Sequence, residues 1–73
     1  MQPTYDYSKL LGRMREKHFT QAGLAKAIGI SEATLNLRLN NANDFKQGEM
    51  LKIADALKIA PKDIPAYFFT HEL

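Results

Sequence analysis

The chain has no cysteine. Disulfide staples and thiolate metal sites are therefore excluded, and whatever core exists must hold by packing alone. No apolar run approaches the ~18 residues a membrane-spanning helix needs. Met1 to Asp6 has neither a basic start nor an apolar block, so no signal peptide is expected. Repeats, low-complexity tracts and linkers are missing. There is no Gly-rich phosphate loop, no convergent Ser–His–acid set, and no cleft that would pair Glu49 with Asp55. The residues thus point away from an enzyme, with no catalytic, cofactor or metal role expected for any of them. His18 has no cysteine, histidine or carboxylate companion at metal-ligand spacing, and reads as a capping or surface histidine at a helix end.

What is present is one short, mostly helical pattern. Seventy-three residues make one domain, expected over 1–73, and a chain this size buries only about 60% of its unfolded surface. Its 45% hydrophobic content allows a single core. Five apolar pairs, each five residues apart, have the spacing of the hydrophobic staple that brackets a helix start: Tyr5/Leu10, Phe19/Leu24, Ile30/Leu35, Phe45/Met50 and Ile59/Ile64. They imply N-caps at Asp6, Thr20, Ser31, Lys46 and Ala60. Asp, Thr and Ser are favourable caps; Lys46 and Ala60 are not, although Glu49 and Asp63 suit the first-turn dipole and Pro61 suits a first helical position. The spacing predicts helices over 7–17, 21–28, 32–40, 47–57 and 61–66. Tyr7, Leu10, Leu11 and Met14 should be buried on the first. Leu24, Ala25, Ile28, Ile30, Leu35, Leu39, Ile53 and Leu57 should form the core, and packing should account for every apolar residue of the fourth helix, Leu51 included. Arg13, Arg15 and Lys17 should face solvent or a phosphate backbone.

The stretch Phe19 to Asn41 organises the rest. Leu24, Ala25 and Ile28 recur at helical spacing, Gly29 follows as a left-handed helix stop, and Ser31 opens a second helix carrying Leu35 and Leu39. Helix, glycine turn and helix form the unit that commonly lays its second helix in the DNA major groove. Asn41, in the loop Asn40 to Asp44, tolerates a left-handed turn.

Gln21, Ala25, Gly29, Ile30, Ser31, Thr34 and Leu35 resemble the Cro and repressor class of phage helix-turn-helix proteins. YDYSKLLGRM near the start and IPAYFF near the end are similar to a narrower group of short phage Cro-like regulators that includes modulators of repression (antirepressors). The resemblance implies an all-α, five-helix Cro/repressor-type (lambda repressor-like) domain, with the helix-turn-helix unit at 20–41 and an aromatic tail at 66–73. It also implies a cytoplasmic protein of the bacterial host, nucleoid-associated when bound to DNA.

With Leu35 and Leu39 inward, the outer face of helix 32–40 is Ala33, Asn36, Leu37 and Asn40, edged by Ser31, Glu32 and Thr34. Asn36 and Asn40 could bond adenine edges, Ser31 and Thr34 a base or a phosphate, and Ala33 and Leu37 thymine methyls. Gln21 holds a phosphate in relatives, and Arg38 and Lys46 would hold others, with Arg38 snorkelling to the backbone. The main reading is therefore a transcriptional regulator that binds double-stranded operator DNA, as a possible homodimer. Two features favour another. The outer face has no Arg or Lys for guanine, and Glu32 would meet phosphates. An apolar Leu37 among asparagines also suits a protein interface. The alternative is an antirepressor that binds a cognate phage repressor and blocks its DNA-binding surface. Charge leaves both open: residues 1–41 hold six bases and three acids, residues 42–73 four bases and five acids. That polarity fits nucleic-acid contact or ordinary solvated charge. The tail Tyr67-Phe68-Phe69 cannot point one way, so part should cover the first helix near Tyr5 and Tyr7, and the rest is either packed tail or an exposed partner contact.

Overall fold

The computed structural model describes residues 4–72; residues 1–3 and Leu73, the ends of the expected domain and tail, lie outside the described residues. Five α-helices follow in order: α1 (Ser8–Glu16), α2 (Gln21–Ile28), α3 (Glu32–Leu39), α4 (Gln47–Ala56) and α5 (Ile64–Phe68), the last led in by a 3-10 turn at Pro61–Asp63. This is the all-α, five-helix architecture expected. The only β pairing among the described residues is an isolated antiparallel bridge, Tyr5 with His71. It is flanked by Asp6 N–H donating to Thr70 O (2.7 Å) and Glu72 N–H to Thr4 O (2.9 Å), so residues 4–6 and 70–72 lie side by side. No described helix is long and apolar enough to cross a membrane.

The helix starts follow the cap chemistry. Thr20 Oγ1 accepts from Gly23 N–H and Ser31 Oγ from Thr34 N–H, both at 3.0 Å. α1 departs from this: its N-cap is Tyr7, one place later than the expected Asp6, without a side-chain cap bond, and Asp6 instead accepts from Ser8 Oγ and Ser8 N–H, bonds that hold its carboxyl below the usual carboxylate range. Lysine offers no acceptor, so at Lys46 only half a reciprocal capping box forms: Lys46 N–H donates to Glu49 Oε1 at 3.0 Å.

Four helices end alike. The residue past the end takes a left-handed backbone at His18 (φ 60°), Gly29 (79°), Asn41 (63°) and Lys58 (57°). The next N–H then reaches back five residues to an open carbonyl: Phe19 to Met14, Ile30 to Ala25, Ala42 to Leu37 and Ile59 to Ala54. A side chain is rare in that region, so Gly29 and the tolerant Asn41 announce themselves in the sequence while His18 and Lys58 do not. A Cβ on Gly29 would meet nothing within 4 Å. The cost of Gly29→Val is then backbone strain alone, expected to exceed about 1 kcal/mol, and urea unfolding at the wild-type midpoint would count against it.

The core joins Leu10 and Met14 of α1, Leu24, Ala25 and Ile28 of α2, Leu35 of α3 and Ile53 and Ala54 of α4 to Tyr7, Phe45, Leu57, Ile59 and Phe68. Tyr7, Phe45 and Phe68 pack edge to face, with ring centroids 5.4 and 5.3 Å apart. Ile30 and Leu39 are half-buried at its margin. Two expectations are corrected. Leu11 is exposed, one helical step round from Leu10, and Leu51 is 54% exposed. Ile53, Ala54 and Leu57 already set the inner face of α4, and a residue two places before Ile53 points the opposite way.

Candidate interface on α3

The left-handed turn at Gly29 brings α3 across α2 and leaves one side of α3 uncovered. Glu32, Ala33, Asn36, Leu37 and Asn40 are exposed there, as the helical wheel predicts, with Thr34 half-buried at the edge. Leu37 is 45% exposed, a large apolar side chain in the middle of a polar surface.

Several polar groups of this face already have partners within it. Asn40 Nδ2 donates to both Asn36 O and Asn36 Oδ1, each at 2.9 Å. Ser31 Oγ accepts from Thr34 N–H while donating to Thr34 Oγ1 at 2.8 Å. Before reading a base edge, either pair would have to exchange an internal bond for an external one. Gln21 opens α2 and is half-buried, and Lys46 is exposed at the start of α4.

Arg38 differs most from its sequence assignment. Its residue is 9% exposed, and its guanidinium forms a fork with Glu49: Nε to Oε1 at 2.9 Å and Nη2 to Oε2 at 3.2 Å. Both side chains keep about a tenth of their surface in contact with solvent, 11% each. The hydrogen bonds from Arg38 hold the Glu49 carboxyl below its ordinary range, aided by the Lys46 N–H and opposed by desolvation; the same pairing pushes Arg38 up. This arginine ties α3 to the first turn of α4. Glu49 stands eleven residues from Arg38, so no local pattern could have paired them.

Arg13 is likewise an internal strut. Its Nε and Nη2 donate to Leu57 O and Lys58 O, both at 2.8 Å, closing the carbonyl end of α4, while Nη1 pairs with Glu16 at 3.1 Å. Asn41 was foreseen only as a turn residue. Its side chain also accepts from Tyr5 N–H (2.9 Å) and donates to Tyr5 O (3.0 Å), pairing with the backbone as a strand would and fastening the end of α3 to the N-terminal segment. The aromatic tail divides as the sequence implies. Phe68 is buried, Tyr67 lies under Lys9 Nζ at 4.8 Å, and Phe69 meets Tyr5 edge-on at 6.1 Å while 46% exposed. With Met50, Leu51, Pro61, Ile64 and Pro65 it lines a mostly apolar groove on the side of α4 and α5.

A family described as "Protein of unknown function (DUF739)" matches residues 3–71. The chain belongs to that family. Among solved structures, the solution structure of the modulator of repression (MOR) of the temperate bacteriophage TP901-1 from Lactococcus lactis is 48% identical in sequence, with a TM-score of 0.77. The match covers 90% of this chain and 89% of that one. A search of curated proteins finds no match. The narrower resemblance, to the modulator-of-repression group of short phage regulators, therefore holds for nearly the whole chain and not just for 20–41.

Proposed function

We propose that this family member is a modulator of repression: it binds a cognate phage repressor through the exposed face of α3 and blocks that repressor's DNA-binding surface. The observation that carries the reading is 48% identity to the TP901-1 modulator over 90% of the chain. The face supports it. Leu37 projects apolar surface at its centre, the asparagines beside it are bonded to each other, and the arginine of α3 is engaged with Glu49. An exposed leucine beside asparagines that bond each other, on a helix whose one arginine is engaged elsewhere, suits a protein contact better than a phosphate backbone. The chain acts by binding alone, without catalysis, cofactor or metal.

The DNA reading, a homodimer holding operator DNA through residues 32–40, keeps the helix–turn–helix geometry in its favour. It requires Arg38 to leave Glu49 before it can hold a phosphate. Leu37→Asp separates the two. Against the repressor it buries an unpaired carboxylate at a desolvated contact, and binding should weaken by roughly a hundredfold or more. The check is titration of wild type and variant against both the co-encoded repressor and operator-region DNA. Nanomolar wild-type operator binding without a protein partner, or a variant that still holds the repressor at wild-type affinity, would overturn the proposal.

A further inference from the structure

α3 has eight residues, about two turns, and a helix that short does not hold itself in water. It is fastened from outside. Leu35 is buried against α2, Arg38 is forked to Glu49, and Asn41, just past the last turn, is tied to Tyr5. The tie at Asn41 reaches Leu37 through the backbone. The left-handed conformation of Asn41 (φ 63°) turns the chain so that Ala42 N–H donates to Leu37 O at 2.9 Å. The Asn41 amide meanwhile accepts from Tyr5 N–H at 2.9 Å and donates to Tyr5 O at 3.0 Å. That uses one edge of segment 4–6. Segment 70–72 takes the other, through Asp6 N–H to Thr70 O and Glu72 N–H to Thr4 O. The Tyr5 ring adds contacts with His71 and Phe69, centroids 5.1 and 6.1 Å apart. Segment 4–6 is thus clasped between the end of α3 and segment 70–72. Glycine would make the turn at 41 at lower cost, but it has no amide to hold Tyr5.

We propose that Asn41 is a positioning residue for the repressor contact, and that segments 4–6 and 70–72 form the latch it works through. With the latch shut, the last turn of α3 is fixed and Leu37 is held ready for its partner. With the latch open, that turn frays, and the repressor must order it on binding. The inference rests on the modulator reading and extends its determinants to residues that lie off the α3 face.

Asn41→Gly separates the latch from the turn. Glycine keeps the positive φ and the Ala42 bond, and removes only the amide. Exchange of the Asp6 and Glu72 amide hydrogens, followed by NMR, should speed up about tenfold. Affinity for the co-encoded repressor should fall about tenfold. Glu72→Pro acts from the far side. It removes the N–H bonded to Thr4 O and leaves His71 extended, as the residue before a proline is. It should weaken repressor binding about threefold to tenfold in the wild-type chain and have no effect in the Asn41→Gly chain, where the link to α3 is already cut. Protection of the Leu35 N–H, bonded to Ser31 O, shows that each variant is folded. Unchanged exchange in Asn41→Gly, wild-type affinity in that variant, or an equal effect of Glu72→Pro in both backgrounds overturns the latch and leaves the modulator reading standing. Absence of any wild-type complex overturns the modulator reading, and the exchange rates still decide the latch.

Discussion

Leu35→Ala is expected to lower the free energy of unfolding by about 2–5 kcal/mol. Leu35 has no solvent exposure and stands where α3 rests on α2, so deleting its isobutyl group leaves a cavity that the short helices cannot fill without moving. A chain of this length has roughly 5–10 kcal/mol of total stability, and the loss would take a large share of it. Leu37→Ala, two residues along the same helix but 45% exposed, should change stability by less than about 0.5 kcal/mol. Urea titration of the pair checks the assignment of inner and outer faces. Equal midpoints for wild type and Leu35→Ala would refute it, whatever Leu37→Ala does.

Glu49→Ala should be nearly as damaging, for a different reason. It removes both acceptors of the Arg38 fork and the only side-chain partner of the Lys46 N–H. Stranding one member of a buried pair costs about 3–5 kcal/mol, and the remaining solvent contact of this pair points to the lower end. Arg38→Ala together with Glu49→Ala should cost less than the two single changes added, because the double variant leaves no unpaired charge.

The pH dependence has a definite sign. Glu49 is held below its ordinary pKa in the folded chain, so the folded state binds its proton less readily than the unfolded state. Its contribution is complete above the unfolded carboxyl pKa of about 4.3, and is lost as pH falls through the depressed folded value. Asp6 is shifted in the same direction by its bonds to Ser8 and titrates in the same acid window. Glu49→Gln cannot titrate at this position. Its stability should therefore fall less steeply than wild type below pH 4, and parallel acid limbs would remove the linkage.

The alternative functions differ in what they require of single residues. Ser31, Thr34, Asn36 and Asn40 have the right chemistry for bases, and they lie on the exposed side or edge of α3 as periodicity implies. Their internal hydrogen bonds were not legible, because a side chain's partner depends on where its neighbours point in three dimensions. Arg38 is the clearest case. In a linear chain it is one more base on the reading helix, and in the folded chain it is a strut whose charge is answered by Glu49.

Local chemistry was enough for much of the fold. Caps at Thr20 and Ser31, the glycine stop between them and the apolar spacing all act within one or two helical turns, and the sequence alone therefore determined five helices and most of the core. It also determined the resemblance to short phage regulators, since that lies in the order of the residues. What only the tertiary structure decided are the long-range pairings: Arg38 with Glu49, Arg13 with the end of α4, Asn41 with Tyr5, and the bridge from Tyr5 to His71. None has a periodic signature, because each forms only when separate helices meet. These pairings engage Arg38 and Arg13 internally, which the residue counts could not show.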